Sequence, residues 1–152
     1  LLGVIDAVSS IYPTNRIGFR VGPTSNFNDI NDSNPEELFA YIATQLGKKS
    51  LAYMHVIEGQ TGGDRQNIPF NYDKLYALFK QNGGLSSIAN NGYTKDLAEA
   101  TTVDLVAFGV PFIANPDLVY RLEHGLPLNE PDQTTFYGGD EKGYTDYPFY
   151  EK

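Results

Sequence analysis

The chain has 152 residues, a formal charge of −8, 41% hydrophobic and 13% aromatic residues, and no cysteine. Length and composition fit one domain with a real core and do not fit disorder. The acid is spread along the chain, which argues against nucleic acid or an anionic membrane as partner, and the lack of cysteine excludes disulfides, thiolate zinc sites and cysteine nucleophiles.

The first residues, Leu1-Leu2-Gly3-Val4-Ile5-Asp6, are apolar without a basic flank, so they read as the end of a helix and not as a signal peptide. Ile17 to Val21 is a short apolar run closed by Gly22-Pro23, a first strand. After a polar loop, Asn34-Pro35-Glu36-Glu37 makes a helix start, with Asn as cap, Pro at the first helical position and Glu behind it. Leu38, Ile42 and Leu46 then recur on one face, and Gly47 with Lys48 and Lys49 suits the end. Leu51 to Ile57 is a second strand, followed by a Gly-rich loop from Gly59 to Asn67. Tyr72, Leu75, Tyr76 and Phe79 mark a second helix face, broken by Gly83-Gly84. Leu85 to Ala89 is a third strand, and Thr94 caps a third helix of about nine residues, roughly 13 Å long. Val103 to Phe108 is a fourth strand, ending at Gly109. Asn115-Pro116-Asp117 repeats the Asn-Pro helix start, Leu118, Val119 and Leu122 give that helix its stripe, and Gly125 ends it. The tail from Leu126 to Lys152 is rich in Pro, Gly and Tyr and reads as irregular structure packed on a larger body.

Four strand-helix repeats predict an α/β fold with a parallel sheet and helices outside. The strands are continuous apolar runs, the pattern of sheets covered on both faces. Four such units make either a small doubly wound sheet or half of an eight-stranded barrel, and periodicity fits both. No apolar run approaches the roughly 20 residues that span a bilayer, so the expectation is a soluble cytoplasmic protein with no membrane partner. His55 and His124 are too few for a histidine-rich metal site, and no metal is expected. Asn31-Asp32-Ser33 fits a glycosylation sequon that carries no weight without a secretory signal.

Several residue groups could carry chemistry. Arg20 lies near the C-terminal end of an apolar strand, where it needs either an anion or a buried ion pair with a core carboxylate. Asn90-Asn91-Gly92-Tyr93-Thr94 joins a strand end to a helix start. Its amides suit a phosphate, and Asn-Gly equally suits an ordinary turn. Phe108-Gly109 is a second strand-end glycine, on the neighbouring strand. His55 and Glu58 form either an acid-base pair or, the commoner outcome, a satisfied strand histidine beside a surface glutamate. Tyr137, Tyr144 and Tyr147 cluster in the tail, where packing on the barrel is the commoner role and proton donation the rarer one.

Ile17 to Val21, Ala89 to Thr94 and Asp104 to Gly109 together resemble the later strands of old yellow enzymes. Pro111-Phe112-Ile113-Ala114-Asn115-Pro116-Asp117-Leu118 is more specific. Thr135-Phe136-Tyr137-Gly138-Gly139 followed by Gly143-Tyr144-Thr145-Asp146-Tyr147-Pro148 is close to a signature of the N-ethylmaleimide reductase and oxophytodienoate reductase branch. The resemblance implies the C-terminal half of a (β/α)8 TIM barrel: four βα units plus an irregular C-terminal tail, residues 1–152 forming one domain. It also implies an FMN-dependent ene-reductase, with NADPH or NADH reducing the flavin and the flavin passing hydride to an activated alkene. By position, Arg20 resembles the arginine at the flavin pyrimidine edge, where its charge stabilises the reduced flavin. Asn91, Gly92, Gly109 and the backbone of Val110 map to the phosphate cradle, and Asn90 is counted with the cofactor-binding residues. Phe136 maps to the flavin ring and Tyr137 to the substrate.

The sequence also departs from the family. Val110 stands where the family carries an arginine on the FMN phosphate; losing that contact costs about 1.5–3 kcal/mol. The segment between Ala100 and Val103 is shorter than usual. The catalytic residues belong to an N-terminal half with no counterpart here. The expected partner is therefore that missing half, with self-association as the other way to cover the open edges. Two further readings are a non-catalytic half-barrel module or degenerate remnant, and a different phosphate-binding barrel that uses no flavin.

Overall fold

The computed structural model describes residues 1–66 and 68–151. The chain forms two compact units, Leu1–Ala107 and Phe108–Lys152. The first unit contains helix α1 (Leu2–Ser9), strand β1 (Gly18–Val21), helix α2 (Pro35–Gly47), strand β2 (Tyr53–Ile57), helix α3 (Tyr72–Gln81), strand β3 (Ser86–Asn90), helix α4 (Lys95–Ala100) and strand β4 (Leu105–Ala107). The expected strand-helix alternation is therefore present.

The sheet order is β1-β2-β3-β4, all parallel. This sequential order is the order of a barrel; a doubly wound sheet reverses direction part-way. The register aligns Phe19, Met54 and Ser87 on one face, and Arg20, His55, Ile88 and Leu105 on the other. The first face is the core. Phe19, Met54, Val56, Ser87 and Ala89 are all buried, along with Ala43 and Leu46 of α2 and Leu75, Tyr76 and Phe79 of α3. The Phe79 ring meets Phe19 edge-on at 5.7 Å between centroids. The other face is not covered: Arg20, Tyr53 and Leu105 are exposed, while His55, Ile57, Ile88 and Asn90 are half-buried. Apolar runs led us to expect cover on both faces. The bare face corresponds to the one that lines the inside of a parallel barrel.

Local chemistry explains most element ends. Asn34 accepts from the Glu37 amide, with Pro35 at the first helical position, and Thr94 accepts from the Leu97 amide. The third predicted helix and the fourth strand are shorter than expected. Thr101 is already extended, at φ −79° and ψ 155°, so α4 has six residues and β4 three. So short a connection spends residues 101–104 on the return to the sheet.

In the second unit, the expectation for Asn115-Pro116-Asp117 needs correction. A helix not foreseen, α5 (Val110–Ala114), comes first, and α6 (Leu118–His124) starts after Asp117 without a side-chain cap bond. Asn115 is fully buried, donates to the Pro111 carbonyl at 2.8 Å and accepts from the Asn129 amide at 2.7 Å. It staples the tail where Asn34 caps a helix. Of the predicted stripe Leu118 is buried, but Val119 is 67% exposed. Gly125 ends α6 in the left-handed region as expected, at φ 64°. The tail is irregular and tied to α6: Arg121, 3% exposed, pairs with Asp117 and donates to the carbonyls of Pro127 and Pro148. Among the described residues, no helix is long and apolar enough to cross a membrane.

Candidate functional site

Arg20 is the third residue of β1, on the bare face, with its Cα in register with His55. It is exposed, so the buried ion pair that the sequence left open is not what the fold builds. Its Nη2 donates to the Asn90 Oδ1 at 3.0 Å. Asn90 ends β3 and also donates through Nδ2 to the Ala107 carbonyl at 2.8 Å. One amide thus holds the guanidinium and ties β3 to β4 at the C-terminal ends of the strands, the end that carries active sites in parallel barrels. The guanidinium keeps further donors for a planar acceptor.

His55 is neither half of an acid-base pair nor a satisfied histidine. Its Nε2 is buried and has no hydrogen-bond partner among the described atoms. Burial, and then the Arg20 charge, lower its pKa below the ordinary 6.5. The imidazole is therefore neutral at pH 7.

Glu58 is not a surface residue. It is 4% exposed and sits just beyond β2 on the core side of the sheet. The Arg65 Nε donates to its Oε2 at 2.8 Å, the Tyr93 hydroxyl to the same oxygen at 3.0 Å, and the Tyr76 hydroxyl to Oε1 at 2.8 Å. Arg65 also donates to the Tyr93 hydroxyl at 2.9 Å and stacks 4.1 Å from its ring centre. Burial, followed by the Glu58 charge, pushes the Tyr93 phenol up to about 12 and the Tyr76 phenol higher still. Both phenols therefore stay protonated and donate at neutral pH. Sequence reasoning missed this cluster because Glu58, Arg65, Tyr76 and Tyr93 are scattered over 36 positions. The one available signal was a glutamate at a strand exit in step with the buried Met54 and Val56.

The turn after β3 is anchored by its own side chain. Asn91 has φ 101° and Gly92 φ 62°, the left-handed geometry that Asn-Gly favours. The Asn91 Nδ2 donates to the carbonyls of Glu58 at 2.6 Å and Gln60 at 3.0 Å, with Gly63 at 3.4 Å. A Cβ added to Gly92 would meet nothing within 4 Å, so the turn faces open space there.

The remaining candidates lie in the second unit. Gly109 precedes the first turn of α5, a Cβ there would likewise meet nothing within 4 Å, and Val110 is 44% exposed. Phe136 follows a short turn of helix at Gln133–Thr135 and is half-buried, its carbonyl accepting from the Tyr144 hydroxyl at 2.5 Å. Tyr137 is 99% exposed, so the commoner role of packing on the chain's own body does not hold for it. Tyr147 is half-buried and tied within the tail, its hydroxyl accepting from the Asp132 amide at 2.8 Å.

Residues 1–129 match a family model described as the NADH:flavin oxidoreductase / NADH oxidase family. The chain belongs to that family. The chain is 40% identical over 155 residues to a putative 12-oxophytodienoate reductase 3 of Oryza sativa subsp. japonica, covering 98% of the chain and 40% of the relative. It is 37% identical, at the same coverage, to a probable flavin mononucleotide-dependent alkene reductase of Leishmania infantum. Among solved structures, the old yellow enzyme from Trypanosoma cruzi superposes with a TM-score of 0.88 at 34% identity, covering 99% of this chain and 39% of that one. Morphinone reductase superposes with a TM-score of 0.85 at 41% identity, covering 98% and 40%. The chain thus spans about 40% of the length of the relatives it matches. Its four parallel strands and their helices are half of a (β/α)8 barrel, with the tail as irregular structure.

Proposed function

We propose that the chain supplies the phosphate and pyrimidine side of an FMN site in an NAD(P)H-dependent ene-reductase, as one domain of a barrel completed by a partner. What carries the reading is the exposed Arg20 guanidinium, held by Asn90 on the bare face at the C-terminal ends of the strands, in a chain of a flavin oxidoreductase family. The residues present fit one edge of FMN. Arg20 offers charge and spare donors to the pyrimidine edge, where they oppose developing negative charge. Asn90 orients that guanidinium. The Asn91–Gly92 backbone, with open space beside Gly92, receives phosphate oxygens. Gly109 and the backbone of Val110 are assigned to the phosphate, Phe136 to the flavin ring and Tyr137 to the substrate. These last four assignments rest on family position alone. When bound, FMN supplies the hydride chemistry between the nicotinamide and the activated alkene.

The groups that anchor the alkene and donate its proton are assigned to the part of the barrel outside this chain. The partner is that complementary half, or failing it a second copy.

One observation favours a second reading, a binding module without catalysis. Val110 offers no charge to a phosphate, a difference worth about ten- to a hundredfold in affinity. The test is optical. The purified chain, alone and mixed with a separately made complementary half, is saturated with FMN and then separated from free flavin by gel filtration. We expect the protein fraction of the mixture to be yellow and to bleach without oxygen on adding NADPH or NADH with an activated alkene held back. A yellow protein fraction that never bleaches supports the binding module, and a protein fraction that emerges colourless overturns both readings.

A further inference from the structure

We propose that the pair of buried Glu58 and half-buried Arg65 is a clamp that sets the Asn91–Gly92 turn for a phosphate monoester, which makes Tyr93 a positioning residue. The proposal rests on the FMN reading above and extends it to Glu58, Arg65 and Tyr93, to which that reading gives no role.

The turn is held from both sides by one loop. On one side Asn91, in left-handed geometry, is fastened by its amide to the carbonyls of Glu58 and Gln60. On the other side the Tyr93 hydroxyl is fastened to the Glu58 carboxylate and to Arg65. Gly92 lies between the two anchors and is itself exposed. The loop is in turn locked. A Cβ on Gly59, at φ 78°, would lie 2.4 Å from the Asp64 carbonyl and 2.5 Å from the Arg65 backbone, so the loop closes tightly on itself. The Gly59 amide donates to the Tyr72 hydroxyl at 2.7 Å, tying the loop to α3. Tyr76, also on α3, holds the other carboxylate oxygen.

A clamp of this kind contributes geometry more than stability. A buried ion pair roughly breaks even against apolar residues of the same shape. What it does is remove conformational freedom from a turn that has open space beside Gly92. An anion that bound a free Asn-Gly turn would have to order it, and prior ordering strengthens binding by that amount. The effect is confined to the ligand's anionic end, because nothing in the clamp lies on the bare face with Arg20.

That confinement gives the test. Full-length chain, wild type and Tyr93→Phe, is titrated with FMN and with riboflavin, which lacks the phosphate, together with the complementary half. Tyr93→Phe removes one oxygen and keeps the ring under Arg65. We expect it to weaken FMN about tenfold while riboflavin affinity stays within about twofold. Equal losses for both flavins would mean general loosening and would overturn the clamp, as would no loss. Glu58→Gln serves as the stronger variant if it folds. A wild-type mixture that binds neither flavin sinks the FMN reading instead. The clamp is then judged on amide hydrogen exchange of the chain without ligand. Faster exchange in residues 90–94 of Tyr93→Phe, with β1 and α2 unchanged, supports it, and unchanged exchange there overturns it.

Discussion

At the scale of single residues, the informative side chains are polar groups in places that ordinarily exclude them. Glu58 is buried with three donors and is satisfied. His55 is partly buried with one ring nitrogen unpartnered, which costs stability in this chain by itself. Burial and Arg20 hold its folded pKa below 6.5, so the unfolded chain takes up the proton first on acidification. The His55 contribution to stability is thus full above pH 6.5 and lost as pH falls through that value toward the folded pKa. We expect urea midpoints to drop between pH 7.5 and 5.5, and the His55→Gln variant to show a shallower drop over the same interval. Equal slopes would mean that His55 is as easily protonated in the fold as outside it. Arg20 was legible in the sequence because a charge inside an apolar strand is anomalous. Glu58 was less so: its step with Met54 and Val56 was the one local sign of burial, and its donors Tyr76 and Tyr93 reach it only in the fold.

At the scale of elements, chain-local chemistry was the reliable guide. Asn34 and Thr94 cap as their sequences predict, since a cap needs only its own next three residues. Asn115 has the same Asn-Pro start and does something else, because Asn129, fourteen positions on, competes for its side chain. Strand β4 depends on similar long-range help. With three residues it has a short ladder, and the Asp104 carboxylate reinforces it. The Ser87 amide donates to Asp104 at 2.7 Å and the Ser87 hydroxyl at 2.9 Å, while Lys80 lies 3.0 Å from both carboxylate oxygens. Half-exposed charges are screened, so the loss on Asp104→Ala should be about 1–2 kcal/mol, read from the urea midpoint. Amide exchange should quicken first in Leu105–Ala107. Protection there equal to wild type would show that the ladder alone holds β4.

At the scale of the whole molecule, the sheet is half-finished on one face. Met54 and Val56 are fully buried, whereas Tyr53 is 39% and Leu105 55% exposed on the opposite face. Among the described residues β1 and β4 each pair with one neighbour only. Uncovered apolar faces and unpaired strands both favour association. Light scattering of the chain alone should therefore give a mass above that of one copy at high micromolar concentration. Adding the complementary half should replace that species with a one-to-one complex. A monomer that ignores the added half would count against a completed barrel as the working state.

The sequence by itself determined the alternation of strands and helices, most helix ends, and the kinship of the chain, because all of these are carried by residues within a few positions of one another. It also marked Arg20, a charge in an apolar strand, and the Asn91–Gly92 turn, an Asn-Gly pair between a strand end and a helix start. Only the tertiary structure decided which face of the sheet is bare, since an apolar strand looks the same whether its second face is covered by its own helices or awaits other strands. Only it could gather Glu58, Arg65, Tyr76 and Tyr93 around one carboxylate, because burial is a property of what surrounds a residue and not of the residue itself.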